Sequence, residues 1–101
     1  MMLTKDQIMR KLQQNREKIR SFGVKRLTLF GSYAAGTAKN TSDIDFLVEF
    51  APARGLYDDY TGLLSLLFNM FDKRVDLVKT TLIREELRSS ILEGTQIEAQ
   101  I

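Results

Sequence analysis

The chain contains no cysteine and no histidine among its 101 residues. The first absence excludes disulfides and thiolate metal sites, and the second excludes imidazole as catalyst or metal ligand. Carboxylates are left as the only strong metal ligands, and oxygen donors favour hard cations such as Mg²⁺ or Mn²⁺. No apolar run approaches the roughly 20 residues that span a bilayer. The amino terminus, Met1-Met2-Leu3-Thr4-Lys5-Asp6, lacks the apolar segment of a secretory signal. A cytoplasmic protein with no membrane contact is therefore expected. Repeats, linkers and low-complexity tracts are also missing, so residues 1–101, with 44% hydrophobic content, read as one domain. A chain of this size buries roughly 60 to 65% of its unfolded surface, enough for one core.

The net charge of +2 hides an asymmetry: residues 1–26 carry eight Lys/Arg against two Asp/Glu, and residues 27–101 carry seven against eleven. A basic first helix suits an acidic partner or RNA, although a solvated lysine-rich face is the commoner meaning. The aromatic side chains that stack on bases do not interleave with these cations. A nucleic acid partner is accordingly not expected.

What is present centres on Gly31-Ser32, followed after ten residues by Asp43-Ile44-Asp45. Glycine before a small hydroxyl residue lets main-chain N–H groups approach phosphate oxygens, and a helix starting there adds its dipole. In an extended segment, period two sends Asp43 and Asp45 to one face and Ile44, Phe46, Val48 and Phe50 to the core. Two carboxylates about 6 to 7 Å apart at an effective dielectric near 20 repel by roughly 2 to 3 kcal/mol, a cost that divalent cations reverse. A phosphate cradle beside paired metal ligands is the layout that two-metal phosphoryl transfer requires. Taken singly, each feature has a plainer reading. Gly-Ser is an ordinary turn, an Asp-x-Asp pair can be a solvated strand edge, and Asp76 can pair with Lys73 or Arg74.

The surrounding pattern supplies the elements. Thr4 and Gln7 form a capping-box signature, and Ile8, Leu12, Ile19 and Phe22 recur at helical spacing up to Gly23, predicting a helix over 5–22. Residues 24–30 predict a strand delivering the Gly-Ser turn to a sheet edge, 32–37 a helical turn, and 43–50 a second strand. After Pro52 and Gly55, an amphipathic helix runs from Leu56 to Phe71, with Tyr60 on its apolar stripe. Its apolar residues, Phe68 included, cover more than one stripe, which fits either a subunit contact or burial in a tightly wrapped domain. Residues 74–78 predict a third strand that sets Asp76 opposite Val75 and Leu77, so three carboxylates can share a face. A helix from Thr81 to about 93, with Leu82, Leu87, Ile91 and Leu92 as its apolar positions, and a short strand within 95–100 complete the reading. Tyr33, next to the cradle, is placed to touch a nucleotide or a partner.

Leu29-Phe30-Gly31-Ser32-Tyr33-Ala34-Ala35-Gly36-Thr37-Ala38, then Ser42-Asp43-Ile44-Asp45-Phe46-Leu47-Val48, resembles the minimal nucleotidyltransferases of the DNA polymerase β superfamily. Arg74-Val75-Asp76-Leu77-Val78 is similar to that family's third carboxylate strand. The resemblance implies an α/β (α+β) nucleotidyltransferase fold, a small mixed sheet of three to four strands flanked by helices. It also implies Asp43 and Asp45 as ligands of two Mg²⁺ ions, and Asp76 as the residue that completes the metal site and orients the acceptor hydroxyl. Gly31 and Ser32 would hold the triphosphate of ATP. Members are typically encoded beside a HEPN-domain ribonuclease toxin, to which the nucleotidyltransferase, as antitoxin, adds AMP. One position departs from the family's usual G-S-Y-A-R-G: Ala35 stands where the arginine would be, and Lys39 is the nearest cation able to replace it at the phosphates.

The departure leaves a second reading, a nucleotidyltransferase fold that neutralises its partner by docking alone. Transfer to a small molecule such as an antibiotic fits less well, since such enzymes generally hold the acceptor with an added domain.

Overall fold

The structure is a computed structural model that describes residues 2–83, 88–89 and 94–101. Helix α1 spans Lys5–Gln14 and starts where the capping box places it: the Gln7 main-chain N–H donates to the Thr4 hydroxyl at 3.2 Å, and the Thr4 N–H donates to the Gln7 side-chain carbonyl at 2.9 Å. The single helix expected over 5–22 is divided. Asn15 ends α1 and precedes α2, Arg16–Ser21, while its side-chain amide donates to the Lys11 carbonyl at 2.8 Å. Asparagine offers the backbone a competing partner, and here that competition interrupts the helix. Gly23, at φ +80°, reverses the chain into β1, Val24–Phe30.

Helix α3, Gly31–Ala35, follows β1 directly and ends on left-handed Gly36. Strand β2, Ile44–Phe50, comes next, then α4, Tyr57–Phe71, and β3, Val75–Lys79. The start of the helix expected from Thr81 is a short 3-10 turn, Thr80–Leu82, with Lys79 as its cap. The rest of that expected helix, with Leu87, Ile91 and Leu92, falls largely on residues 84–87 and 90–93, outside the described residues. The last strand, expected within 95–100, is the two-residue β4, Ile97–Glu98.

The four strands form a mixed sheet in the order β3-β2-β1-β4. Strand β1 runs antiparallel to β2 and β4, whereas β2 and β3 are parallel and are joined by the crossover through α4. A register shift between Val24 and Arg26 corrects the alternation so that Leu27 and Leu29 both point inward. One sheet face meets the helices and carries the core, where Ile8, Leu12, Ile19, Leu27, Leu29, Ile44, Phe46, Val48, Leu63 and Leu67 are fully buried. Phe46 stacks on Phe71 with ring centroids 6.2 Å apart. Burying one such side chain contributes roughly 1.5 to 3 kcal/mol, so this face holds the fold. Tyr60 is part of the packing as expected; its hydroxyl donates to the Leu77 carbonyl at 2.6 Å and fastens α4 to β3. Phe68 is 48% exposed, so α4 keeps an apolar residue outside the core.

Candidate active site

The opposite sheet face presents the acids. Period two along β2 turns Asp45, Leu47 and Glu49 away from the core that receives Ile44, Phe46 and Val48. Register places Phe30 of β1, Asp45 of β2 and Asp76 of β3 side by side across three strands. Adjacent strands lie roughly 4.8 Å apart, so Asp45 and Asp76 are immediate neighbours. Asp43 sits one residue before β2, half-buried at the mouth of the strand, whose first amide, that of Ile44, donates to the Arg74 carbonyl at 3.0 Å.

The glycine-serine turn arrives at the same end of the sheet. Gly31 has φ +73°, which L side chains avoid, and a Cβ there would overlap the Asp45 carboxylate oxygen Oδ2 and stand 3.0 Å from its Cγ. Glycine is thus required twice, for the backbone and for the room its neighbour occupies. Half-buried Ser32 follows it in the first turn of α3, which has no side-chain cap. The predicted meeting of turn and acids is therefore present in the fold.

Burial pushes the Asp45 carboxyl up to about 6, and the negative charges of Asp76 and Asp43 add to the rise. Both of these charges act on Asp45. Among the described residues the ion pairs join Lys25 and Arg26 to Glu49 and Arg54 to Asp59, and none engages Asp43, Asp45 or Asp76. The plainer reading in which Asp76 pairs with Lys73 or Arg74 is overturned. Among the described residues, too, no three acidic groups already close into a metal-holding cluster. The donor set nonetheless fits a hard divalent cation: oxygen ligands only, on one face, with charge that a cation would offset.

Lys39 lies exposed on the loop between α3 and β2, where its amide donates to the Ser42 hydroxyl and the Ser42 amide donates to its carbonyl, both at 2.9 Å. Ala35 is exposed near the end of α3. Tyr33 departs from expectation: it is 2% exposed, in the core, and its buried hydroxyl has no hydrogen-bond partner among the described residues. Helical geometry explains this, because two residues past Gly31 the α3 turn points inward. Sequence reasoning missed a different role for Lys73. Its Nζ donates to the Asn40 carbonyl at 2.7 Å and lies 5.8 Å from the centre of the Tyr33 ring, tying the loop before Asp43 to α3 and to the start of β3. Its place three residues before Asp76 hinted at an ion pair instead.

The family model of the nucleotidyltransferase domain matches residues 8–98. The chain belongs to this family. As a nucleotidyltransferase it is 34% identical over 92 residues, 90% of this chain and 92% of the relative, to the protein adenylyltransferase MntA of Thermococcus cleftensis. A solved structure described as a minimal nucleotidyltransferase superposes with a TM-score of 0.66 at 33% identity, covering 86% of this chain and 92% of the other. A toxin–antitoxin crystal structure with AMP-PNP has a TM-score of 0.64 at 26% identity, covering 95% of this chain and 72% of that one. The mixed sheet flanked by helices is the fold these neighbours share.

Proposed function

We propose that this nucleotidyltransferase moves AMP from ATP to a hydroxyl of a protein acceptor, and that the acceptor is a HEPN ribonuclease toxin encoded beside it. The observation that carries the reading is the convergence of Gly31 on the Asp45 carboxylate, with Asp76 in register and the Asp43 charge within reach. The name of the Thermococcus relative and the AMP-PNP found with a toxin–antitoxin neighbour support it.

Main-chain N–H groups at Gly31 and Ser32 hold the triphosphate beside the Asp45 carboxylate, which the missing Cβ lets stand against the turn. Asp43, Asp45 and Asp76 would hold two Mg²⁺ ions, which supply charge neutralisation at the phosphates and lower the pKa of the attacking hydroxyl. Asp76, exposed on the outermost strand, orients that hydroxyl. The acceptor oxygen bonds to the α-phosphorus as the bond to pyrophosphate breaks, and pyrophosphate departs with the electron pair. Lys39, exposed on the adjoining loop, offers a cation to the phosphates in place of the arginine absent at Ala35.

A second reading, inhibition by docking without transfer, is favoured by Ala35 alone. One experiment separates the two. The protein, the neighbouring HEPN protein, Mg²⁺ and α-labelled ATP are incubated together, and label on the HEPN protein is read by gel. Transfer is expected with the wild type and not with Asp43→Ala. Persistent inhibition of the ribonuclease without label would replace the transferase by a docking module.

A further inference from the structure

The face that bears the acids does not end with them. Beyond Asp45 it continues into a cleft of 280 Å³ floored by Thr28 and Leu47 and walled by Arg26, Glu49, Arg88 and Glu98. Register makes the continuity explicit. Thr28 pairs with Leu47 on one side and with Glu98 on the other, one face position along from the Phe30–Asp45 pair. At about 3.3 Å per residue, Leu47 and Glu49 lie roughly 7 and 13 Å from Asp45 along β2.

We infer that this cleft seats the polypeptide segment flanking the acceptor hydroxyl. The inference rests on the protein-acceptor reading given above. The described lining residues include two arginines and two glutamates, which balance, alongside the apolar Leu47 and Ile83, and Arg26 already reaches Glu49 at 3.7 Å. No aromatic side chain stands among its described lining residues. A nucleobase gains most from stacking on aromatic faces. A short cleft of mixed charge and mixed polarity instead complements a peptide, whose amides, apolar side chains and charges of either sign can meet each of these. The nucleoside is thereby left to the Gly31 side of the acids. An extended chain advances about 3.3 to 3.6 Å per residue, so the cleft holds the positions roughly two to four residues from the modified one. An acidic residue there would face Arg88 and a basic one Glu98.

The test uses the full-length protein with the HEPN protein encoded beside it, measuring initial rates of AMP transfer against HEPN concentration. Thr28→Arg fills the floor of the cleft and is expected to raise KM for the HEPN protein about tenfold, with kcat within about twofold and the Kd for Mg·AMP-PNP by calorimetry unchanged. Glu98→Lys, on the exposed rim, should raise the same KM about threefold and serves alone if Thr28→Arg does not fold. An unchanged KM in the folded variants would overturn the inference, as would AMP-PNP binding weakened in parallel, which would put the nucleoside in the cleft. No transfer by the wild type would instead remove the underlying transferase reading, a result distinct from either.

Discussion

Strand β2 shows two kinds of protein surface on one ribbon. On one side Ile44, Phe46 and Val48 are fully buried against the helices; on the other Asp45 and Glu49 sit half-buried, with repelling neighbours at Asp45 and ion pairs at Glu49. The first side is satisfied by the fold itself. The second concentrates, at one end, charge that the fold leaves uncompensated. Stability and the proposed chemistry are thus separated by the thickness of a single strand, and altering alternate residues should disturb one without the other.

The largest effect should come from the inner side. Phe46→Ala is expected to cost about 3 to 5 kcal/mol, since it empties a fully buried site and removes the stack on Phe71; urea unfolding measures it. Its neighbour should behave in the opposite way. Asp45→Asn should lower AMP transfer by about a thousandfold, equivalent to about 4 kcal/mol of transition-state stabilisation, while the apo melting temperature holds or rises. A coincident loss of fold and activity at both positions would erase the distinction between the faces.

Gly31→Ala sits where the two roles touch. The methyl group meets the Asp45 carboxylate in a left-handed backbone, so a loss of about 1 to 2 kcal/mol is expected, with weakened AMP-PNP binding. Calorimetry and thermal melts together separate the two losses.

Proton linkage sharpens the comparison further. The folded-state Asp45 carboxyl titrates near 6, above the ordinary value of 3.8, so the unfolded chain releases this proton first as pH rises. Apo stability is therefore fullest below the unfolded value and falls as pH climbs through about 6. With solvent still reaching this half-buried group, the fall should be about 1 kcal/mol between roughly pH 4 and 7. In Asp45→Asn that part of the slope should vanish. Mg²⁺ affinity should run the other way, strengthening above pH 6 because the ligands must be deprotonated.

The smallest effect is expected at Lys73→Met, which removes the bond to the Asn40 carbonyl. A loss of about 1 kcal/mol and faster hydrogen exchange over residues 39–42 would mark the tether.

The elements that periodicity and turn chemistry define were legible before the fold: β1 within its limits, the Gly31 turn, α4 within one residue of its start, and the acids on one side of β2. Asp76 could be assigned to a face, but its pairing with Asp45 depends on the crossover through α4, which no local pattern encodes. Asn15 hid its helix break because one side-chain bond outweighed an otherwise continuous stripe. Tyr33 was misplaced because adjacency to Gly31 in sequence does not survive the turn of α3. The bond from Lys73 to the Asn40 carbonyl was missed because the two residues are 33 apart in sequence.

The parallel pairing of β2 and β3 has a corollary for how such a chain tolerates insertions. Asp76 and Leu77 are separated by one pleat, one looking outward and the other 4% exposed in the core. Adding a single residue in the bend between Asp72 and Val75, with the strand otherwise kept in place, would exchange them, driving an acid into hydrocarbon and a leucine onto the side that carries the acids. The short bend therefore acts as a phase lock, and length changes there should be far less forgiving than in the loop that carries Lys39.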